Sequence, residues 1–263
     1  MSSVNNNHQV TSSESKKVSK FVIFTTQRSG STWLMDTLDN HPNIKVYNEL
    51  FLNMDNKSKW ADPNQPIFCN YQKTASGSRP WKTIKYLKNL YTYDGKYDVI
   101  GFKLMYDHLF RKPEILVNLV SEGYKIVHLV RENSIDVMLS YAIARENKRF
   151  FTEQEVENKK IYLNPEEFKK QVKKQDFKVN LANLLLQVLP NNVLNIYYDE
   201  LRENRAETLT TITQFLSVPN VDKQENITST LKKINQKSPA EVIENYSEIK
   251  AIFTGTKFAK YLN

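Results

Sequence analysis

The segment Thr25-Thr26-Gln27-Arg28-Ser29-Gly30-Ser31-Thr32 concentrates groups that bind phosphate. An apolar, β-branched and aromatic run of buried-strand type precedes it at residues 20–26. After it, Leu34, Met35 and Leu38 fall at helical spacing. A loop joining a strand to a helix N-terminus presents free backbone N–H groups and the positive end of the helix dipole. Gly30 permits close backbone approach to a ligand oxygen. Glycine occurs only six times in 263 residues, so its placement here carries weight. Ser29, Ser31 and Thr32 add hydroxyls, and Arg28 adds a planar cationic fork suited to phosphate. The alternative is an N-capped helix after a Ser-rich turn. The Walker pattern requires a second Gly and a Lys before the Ser/Thr, and both are missing, so a nucleotide kinase loses its main support.

The elements that must position this loop follow from periodicity. Residues 31–38 read as a helix stopped by Asn40-His41-Pro42. Residues 98–104, 124–130 and 193–198 read as further buried strands. Helices are expected over 81–91, 113–122, 134–144, 165–189 and 206–216. Residues 55–80 read as an irregular excursion over the active face, and the charged stretch 145–163 as a mobile helix or lid. Strands alternating with helices predict an α/β fold: a single domain with a central parallel β-sheet flanked by helices on both faces. No internal repeat is present. The Ser- and Asn-rich residues 1–19 read as a disordered N-terminal tail.

Arg28-Ser29-Gly30-Ser31-Thr32 after a strand resembles the 5′-phosphosulfate loop of sulfotransferases that use 3′-phosphoadenosine 5′-phosphosulfate (PAPS), in their bacterial and carbohydrate branch. Trp33 fits the same pattern. A second element agrees. Strand 126–130 runs into Arg131, and Ser140 lies nine residues on, resembling the family's Arg and Ser that bind the 3′-phosphate. Residues 193–201 resemble the family's late strand ending in an acidic residue and Leu. Phe253-Thr254-Gly255-Thr256-Lys257 resembles a closing basic loop, which implies that Thr256 and Lys257 reach the nucleotide; an ordinary C-terminal turn is the competing reading. The resemblance implies a P-loop-NTPase-like sulfotransferase fold over residues 20–263. It also implies PAPS as cosubstrate, 3′-phosphoadenosine 5′-phosphate (PAP) as product, and cofactor contacts from Arg28, Ser29, Gly30, Ser31, Thr32, Trp33, Arg131, Ser140, Thr256 and Lys257.

Sulfuryl transfer needs a base for the acceptor proton and donors for the leaving phosphate oxygen. Arg28 and the backbone of 29–32 are the expected stabilisers. Glu49, in Tyr47-Asn48-Glu49-Leu50-Phe51, is the favoured base, because a short connection returns it toward the loop and its E-x-F context resembles bacterial relatives. His108 is the runner-up. It follows Gly101-Phe102-Lys103-Leu104, which resembles the family's G-x-K-L stretch near a catalytic Lys, making Lys103 a further catalytic candidate. His41 reads as a helix-end residue and His128 as a core histidine. The acceptor pocket is expected from Glu49, Phe51, Trp60, Phe68, Tyr71, Trp81, Tyr106 and His108. For each of these aromatics, packing onto the core is the competing reading.

Composition sets the remaining bounds. Hydrophobic residues make up 40% and charged residues 25%, an ordinary globular balance. One cysteine, Cys69, excludes an internal disulfide framework, and four dispersed His argue against a metal centre. No apolar run approaches the roughly 20 residues of a membrane span, and the N-terminal residues lack a secretory h-region, so a cytoplasmic protein without stable membrane insertion is expected. The net charge of +8 suits an anionic partner. A basic RNA-binding protein would carry aromatic platforms on its strands, and these strands are apolar, so no nucleic-acid partner is expected. The expected acceptor is a small molecule with a hydroxyl or amine: a carbohydrate, a glycolipid or a polar natural product such as a bacterial alkaloid toxin.

Overall fold

In the computed structural model, β1 (Ser19–Thr25) is the central strand of a five-stranded, all-parallel sheet. The structure describes residues 18–53, 65–91, 96–146, 160–187, 189, 192–219 and 238–262. Residues 1–17 of the predicted tail, Trp60 and most of the predicted lid lie outside the described residues, while the tail's last two residues are ordered, Val18 in the core and Ser19 at the start of β1.

The chain continues through α1 (Ser31–Asp39), β2 (Ile44–Tyr47), α2 (Phe68–Thr74), α3 (Trp81–Leu90), β3 (Val99–Met105), α4 (Tyr106–Arg111), α5 (Glu114–Ser121), β4 (Lys125–Val130) and α6 (Ser134–Glu146). It closes with α7 (Pro165–Leu186), β5 (Val193–Tyr197), α8 (Tyr198–Glu203), α9 (Arg205–Leu216), α10 (Pro239–Val242) and α11 (Tyr246–Phe253). The strand order is β2-β3-β1-β4-β5. Successive side chains of a strand point to opposite faces, and β1 divides accordingly. Phe21 and Ile23 pack with α1 and α9 through Leu34, Leu38, Leu209 and Ile212. Val22 and Phe24 pack with α3, α5 and α7 through Leu87, Ile115, Leu119 and Ala182. A third cluster joins α6, the start of α7 and α11 around Ile135, Phe168 and Phe253.

The predicted parallel α/β architecture is present, and individual elements differ from the expectation. Ile44–Tyr47 forms an edge strand, because its Ile44 and Val46 alternate inward beside β3. Part of the expected excursion is α2, whose Phe68 is buried against Phe51 and Tyr86. Tyr198 opens α8 instead of ending the fourth predicted strand. Gly101 is required by packing: a Cβ there would sit 2.2 Å from the Phe21 ring.

Strand order reverses direction around β1. The β1–α1–β2 crossover leads to one edge, and every later crossover leads toward the other. The carboxyl end of β1 is therefore a topological switch point, where open parallel sheets leave a crevice for ligands.

Candidate phosphate and acceptor site

The loop after β1 is held from within and from both neighbouring strands. Thr25 Oγ1 donates to Leu129 O at 2.8 Å and lies 2.7 Å from Ser29 Oγ. Ser29 Oγ donates to Thr26 O at 2.8 Å. Both side chains are fully buried, so these hydroxyls shape the loop. Arg28 and Gly30 have positive φ, 60° and 82°. Gly30 is the N-cap of α1, and no side chain caps that helix. Its first N–H groups are thus not occupied by a capping oxygen, which is the condition for anion binding. The Tyr198 ring closes over Gly30, 3.0 Å from where a Cβ would sit.

On the β4 side, two guanidiniums converge. Arg28 donates its Nε–H to Ser140 Oγ on α6 at 3.0 Å. Arg131, buried at 8% exposure just beyond β4, donates to Arg28 O at 2.9 Å and pairs with Asp136 at 3.1 Å. Its guanidinium also lies 4.3 Å from the centre of the Tyr198 ring. Burial lowers the Arg28 pKa, and the Arg131 charge lowers it further. A bound anion would offset both effects.

On the β3 side, Lys103 points to the α1 face. Its side chain is 3% exposed, and its ammonium pairs with Glu49 Oε1 at 3.0 Å and donates to Thr32 Oγ1 at 3.4 Å. A carboxylate, a lysine and a loop hydroxyl thus meet beside the helix N-terminus. His108 lies buried on α4, with Nδ1 lacking a hydrogen-bond partner among the described residues. Burial pushes its pKa down to about 4, against an opposing contribution from Glu49, so the ring is neutral at pH 7. Phe51 stands 6.4 Å from the His108 ring and 5.3 Å from that of Phe68.

The remaining expected residues are placed apart from this centre. Phe51 and Phe68 are buried in the core, and Tyr71 is half-buried on α2, packed on Phe68 and Tyr86. Trp81 is 68% exposed at the start of α3. Tyr106 is buried with its hydroxyl 2.7 Å from His128 Nε2, so that hydroxyl is committed within the core. Thr256 Oγ1 donates to Phe253 O in a local turn, and Lys257 pairs with Asp176 at 2.7 Å. His128 bridges Tyr106 and Asn195, and His41 lies 3.1 Å from Pro219 O at the end of α1.

Two residues at the site were not anticipated. Tyr198 covers Gly30 and Arg131. Its motif, Tyr197-Tyr198-Asp199-Glu200, was visible, but its register relative to the loop was not. Gln175 on α7 is buried, with both amide atoms 3.2 Å from Thr26 Oγ1. A polar residue on the buried face of an amphipathic helix was its only signal. Among the described residues, no group of three His, Cys, Asp or Glu could hold a metal ion. No described helix is long and apolar enough to cross a membrane.

A family model described as a sulfotransferase domain matches residues 18–260. Among solved structures, mouse sulfotransferase SULT7A1 complexed with PAP is 17% identical, with 89% of this chain and 67% of that chain covered at a TM-score of 0.46. A sulfotransferase from Alicyclobacillus acidocaldarius is 14% identical, with 89% and 91% covered at 0.49. The sulfotransferase domain of the Synechococcus PCC 7002 olefin synthase is 18% identical, with 82% and 79% covered at 0.48. No curated protein sequence matches the chain.

Proposed function

The chain belongs to the sulfotransferase domain family, and from that premise we propose that it transfers a sulfuryl group from PAPS to a hydroxyl or amine of a small-molecule acceptor. One observation carries this reading: Arg28 and Arg131, both largely withdrawn from water, converge beside an uncapped helix N-terminus. Such a centre is suited to a ligand with separate phosphate groups.

PAPS, when bound, supplies a sulfuryl group activated by a phosphate leaving group. Arg28 and the backbone N–H groups at 30–33 hold the 5′-phosphosulfate end and meet the negative charge that develops on the departing oxygen. Arg131 and Ser140 hold the 3′-phosphate, and the Tyr198 ring lies over Arg131. Glu49 takes the acceptor proton. Its support is position: Lys103 ties the carboxylate to Thr32, at the end of the cradle. Lys103 orients Glu49 and adds positive charge near the leaving oxygen. His108, neutral at pH 7, is the alternative base and shapes the acceptor wall.

Isothermal titration tests the cosubstrate assignment. PAP binds tightly and AMP, which lacks the 3′-phosphate, binds at least about 100-fold more weakly, as expected for loss of several charge-assisted contacts. Preference for ATP with Mg²⁺ would replace this reading with a kinase.

A further inference from the structure

The wall beside the acceptor centre is cationic. Residues 65–91 contain Lys73, Arg79, Lys82, Lys85 and Lys88 and no Asp or Glu. This one stretch carries more than half of the chain's net charge of +8. The fold brings it against the end of α4. Arg79 donates to Arg111 O at 3.1 Å, and Lys82 donates to Gln72 O at 3.2 Å. The Lys112 ammonium lies 4.5 Å from the centre of the Phe68 ring.

The nearby carboxylates are both paired, Glu114 with Arg79 of this patch and Asp107 with Lys178 on α7. Glu114 pairs with Arg79 at 2.9 Å and accepts from Thr83 at 3.0 Å. Asp107 pairs with Lys178 at 2.8 Å. Among the described residues, no carboxylate lies within ion-pair distance of Arg111 or Lys112. Burial and then Arg79 lower the Lys112 pKa, Arg111 adds to this, and Glu114 opposes it, which marks a local excess of positive charge. The excess sits close to the proposed chemistry. Lys112 and His108 occupy successive turns of one helical face, and Phe68 connects through Phe51 to the His108 ring. On α3, the exposed Trp81 stands two residues after Arg79, and Lys85 and Lys88 follow it at i+4 and i+7 on the same helix face.

We infer that Arg111 and Lys112, beside the start of α3, form an anion subsite for an acceptor that carries its own carboxylate, sulfate or phosphate beside the group to be sulfated. The inference rests on the sulfuryl-transfer reading. Charge complementarity is its argument: a neutral acceptor would leave this excess charge next to the site without a counterpart. An anionic carbohydrate fits best, because the exposed Trp81 ring, two residues after the Arg79 that donates to Arg111 O, offers a stacking face.

The test titrates a heparin-derived tetrasaccharide, and neutral maltotetraose as control, into the full chain saturated with PAP. The sulfated tetrasaccharide binds and maltotetraose does not. The Arg111→Glu/Lys112→Glu variant loses at least about tenfold in tetrasaccharide affinity, as expected for two reversed charges, while its PAP affinity is unchanged. Raising the salt weakens the wild-type interaction. Absent tetrasaccharide binding, or binding indifferent to the double variant, overturns the subsite. Equal, variant-sensitive binding of oligouridylate or of phosphatidylserine vesicles overturns it too, by making the patch a general polyanion surface. Failure of PAP itself to bind would instead overturn the sulfotransferase reading, so the two failures are distinguishable.

Discussion

Arg28 donates its Nε–H to Ser140 Oγ at 3.0 Å, joining the loop after β1 to α6 across 112 positions of sequence. Arg131 in turn donates to the Arg28 carbonyl at 2.9 Å. Two like charges are thereby fixed close together before any ligand arrives. Replacing either cation removes a charge-assisted contact to phosphate. Arg28→Ala and Arg131→Ala should each weaken PAP binding about 10- to 100-fold. Ser140→Ala, which removes a neutral hydroxyl, should cost less, about tenfold or below. Calorimetric PAP affinities check the order.

Glu49→Ala should leave PAP affinity within about twofold and lower turnover about 10²- to 10⁴-fold, the usual worth of a general base. Single-turnover transfer from PAPS reads this directly. Intact turnover would move the base role to His108, and His108→Ala would then show the loss. Lys103→Ala should lower turnover as well, because it frees Glu49 from Thr32 and removes a cation beside the cradle.

Gly30→Ala combines two penalties. A Cβ at φ 82° is strained, and it would meet the Tyr198 ring at 3.0 Å. The backbone term alone is about 1–2 kcal/mol. Displacing the ring should also weaken PAP binding. Tyr198→Ala in the Gly30→Ala background should recover part of the lost melting temperature if the ring clash contributes, and none if backbone strain is the whole cost.

Stability should fall on acidification through the range between the ordinary histidine pKa and the native one. Burial lowers the His128 pKa to about 4, opposed by its hydrogen bond to Asn195, so the native ring is neutral. The unfolded chain therefore binds more protons between about pH 6.5 and pH 4, and stability rises with pH across that window. His128 contributes at most about 3 kcal/mol, fully present above pH 6.5 and lost by about pH 4. His108, lowered similarly, adds to the same slope. Urea unfolding of wild type and His128→Gln between pH 7 and pH 4.5 should show a shallower dependence in the variant.

Gln175→Leu should spare the fold but loosen the loop, because Thr26 loses its partner on α7. PAP affinity should fall about 3- to 30-fold, with the Gln175→Glu variant intermediate, as expected for one or two buried neutral hydrogen bonds. Unchanged affinity in both would make Gln175 a packing residue only.

How far the sequence reached varied with the signal. β1, β3 and β4 were legible because buried parallel strands are continuous apolar runs bounded by turns. β2 was not: four residues, Ile44–Tyr47, with an internal lysine, are too short for a periodic pattern and gain strand geometry only by pairing with β3. The end of α7 was read three residues too far, since Leu189 continues the apolar spacing beyond the helix. The aromatic candidates show a different limit. Residue type identified Tyr106, but only the fold could direct its hydroxyl to His128.

The sequence by itself determined the strand–loop–helix segment around residues 28–32 and the alternation of strands and helices. These are local properties, fixed by periodicity and by the chemistry of adjacent residues. Only the tertiary structure decided which distant groups meet: Arg28 with Arg131 and Ser140, Lys103 with Glu49 and Thr32, Tyr198 with Gly30, and Lys112 with Phe68. The physical reason lies in the strand order. Placing β1 between β3 and β4 carries their carboxyl-terminal residues to both sides of one helix N-terminus, and nothing in the linear spacing states that adjacency.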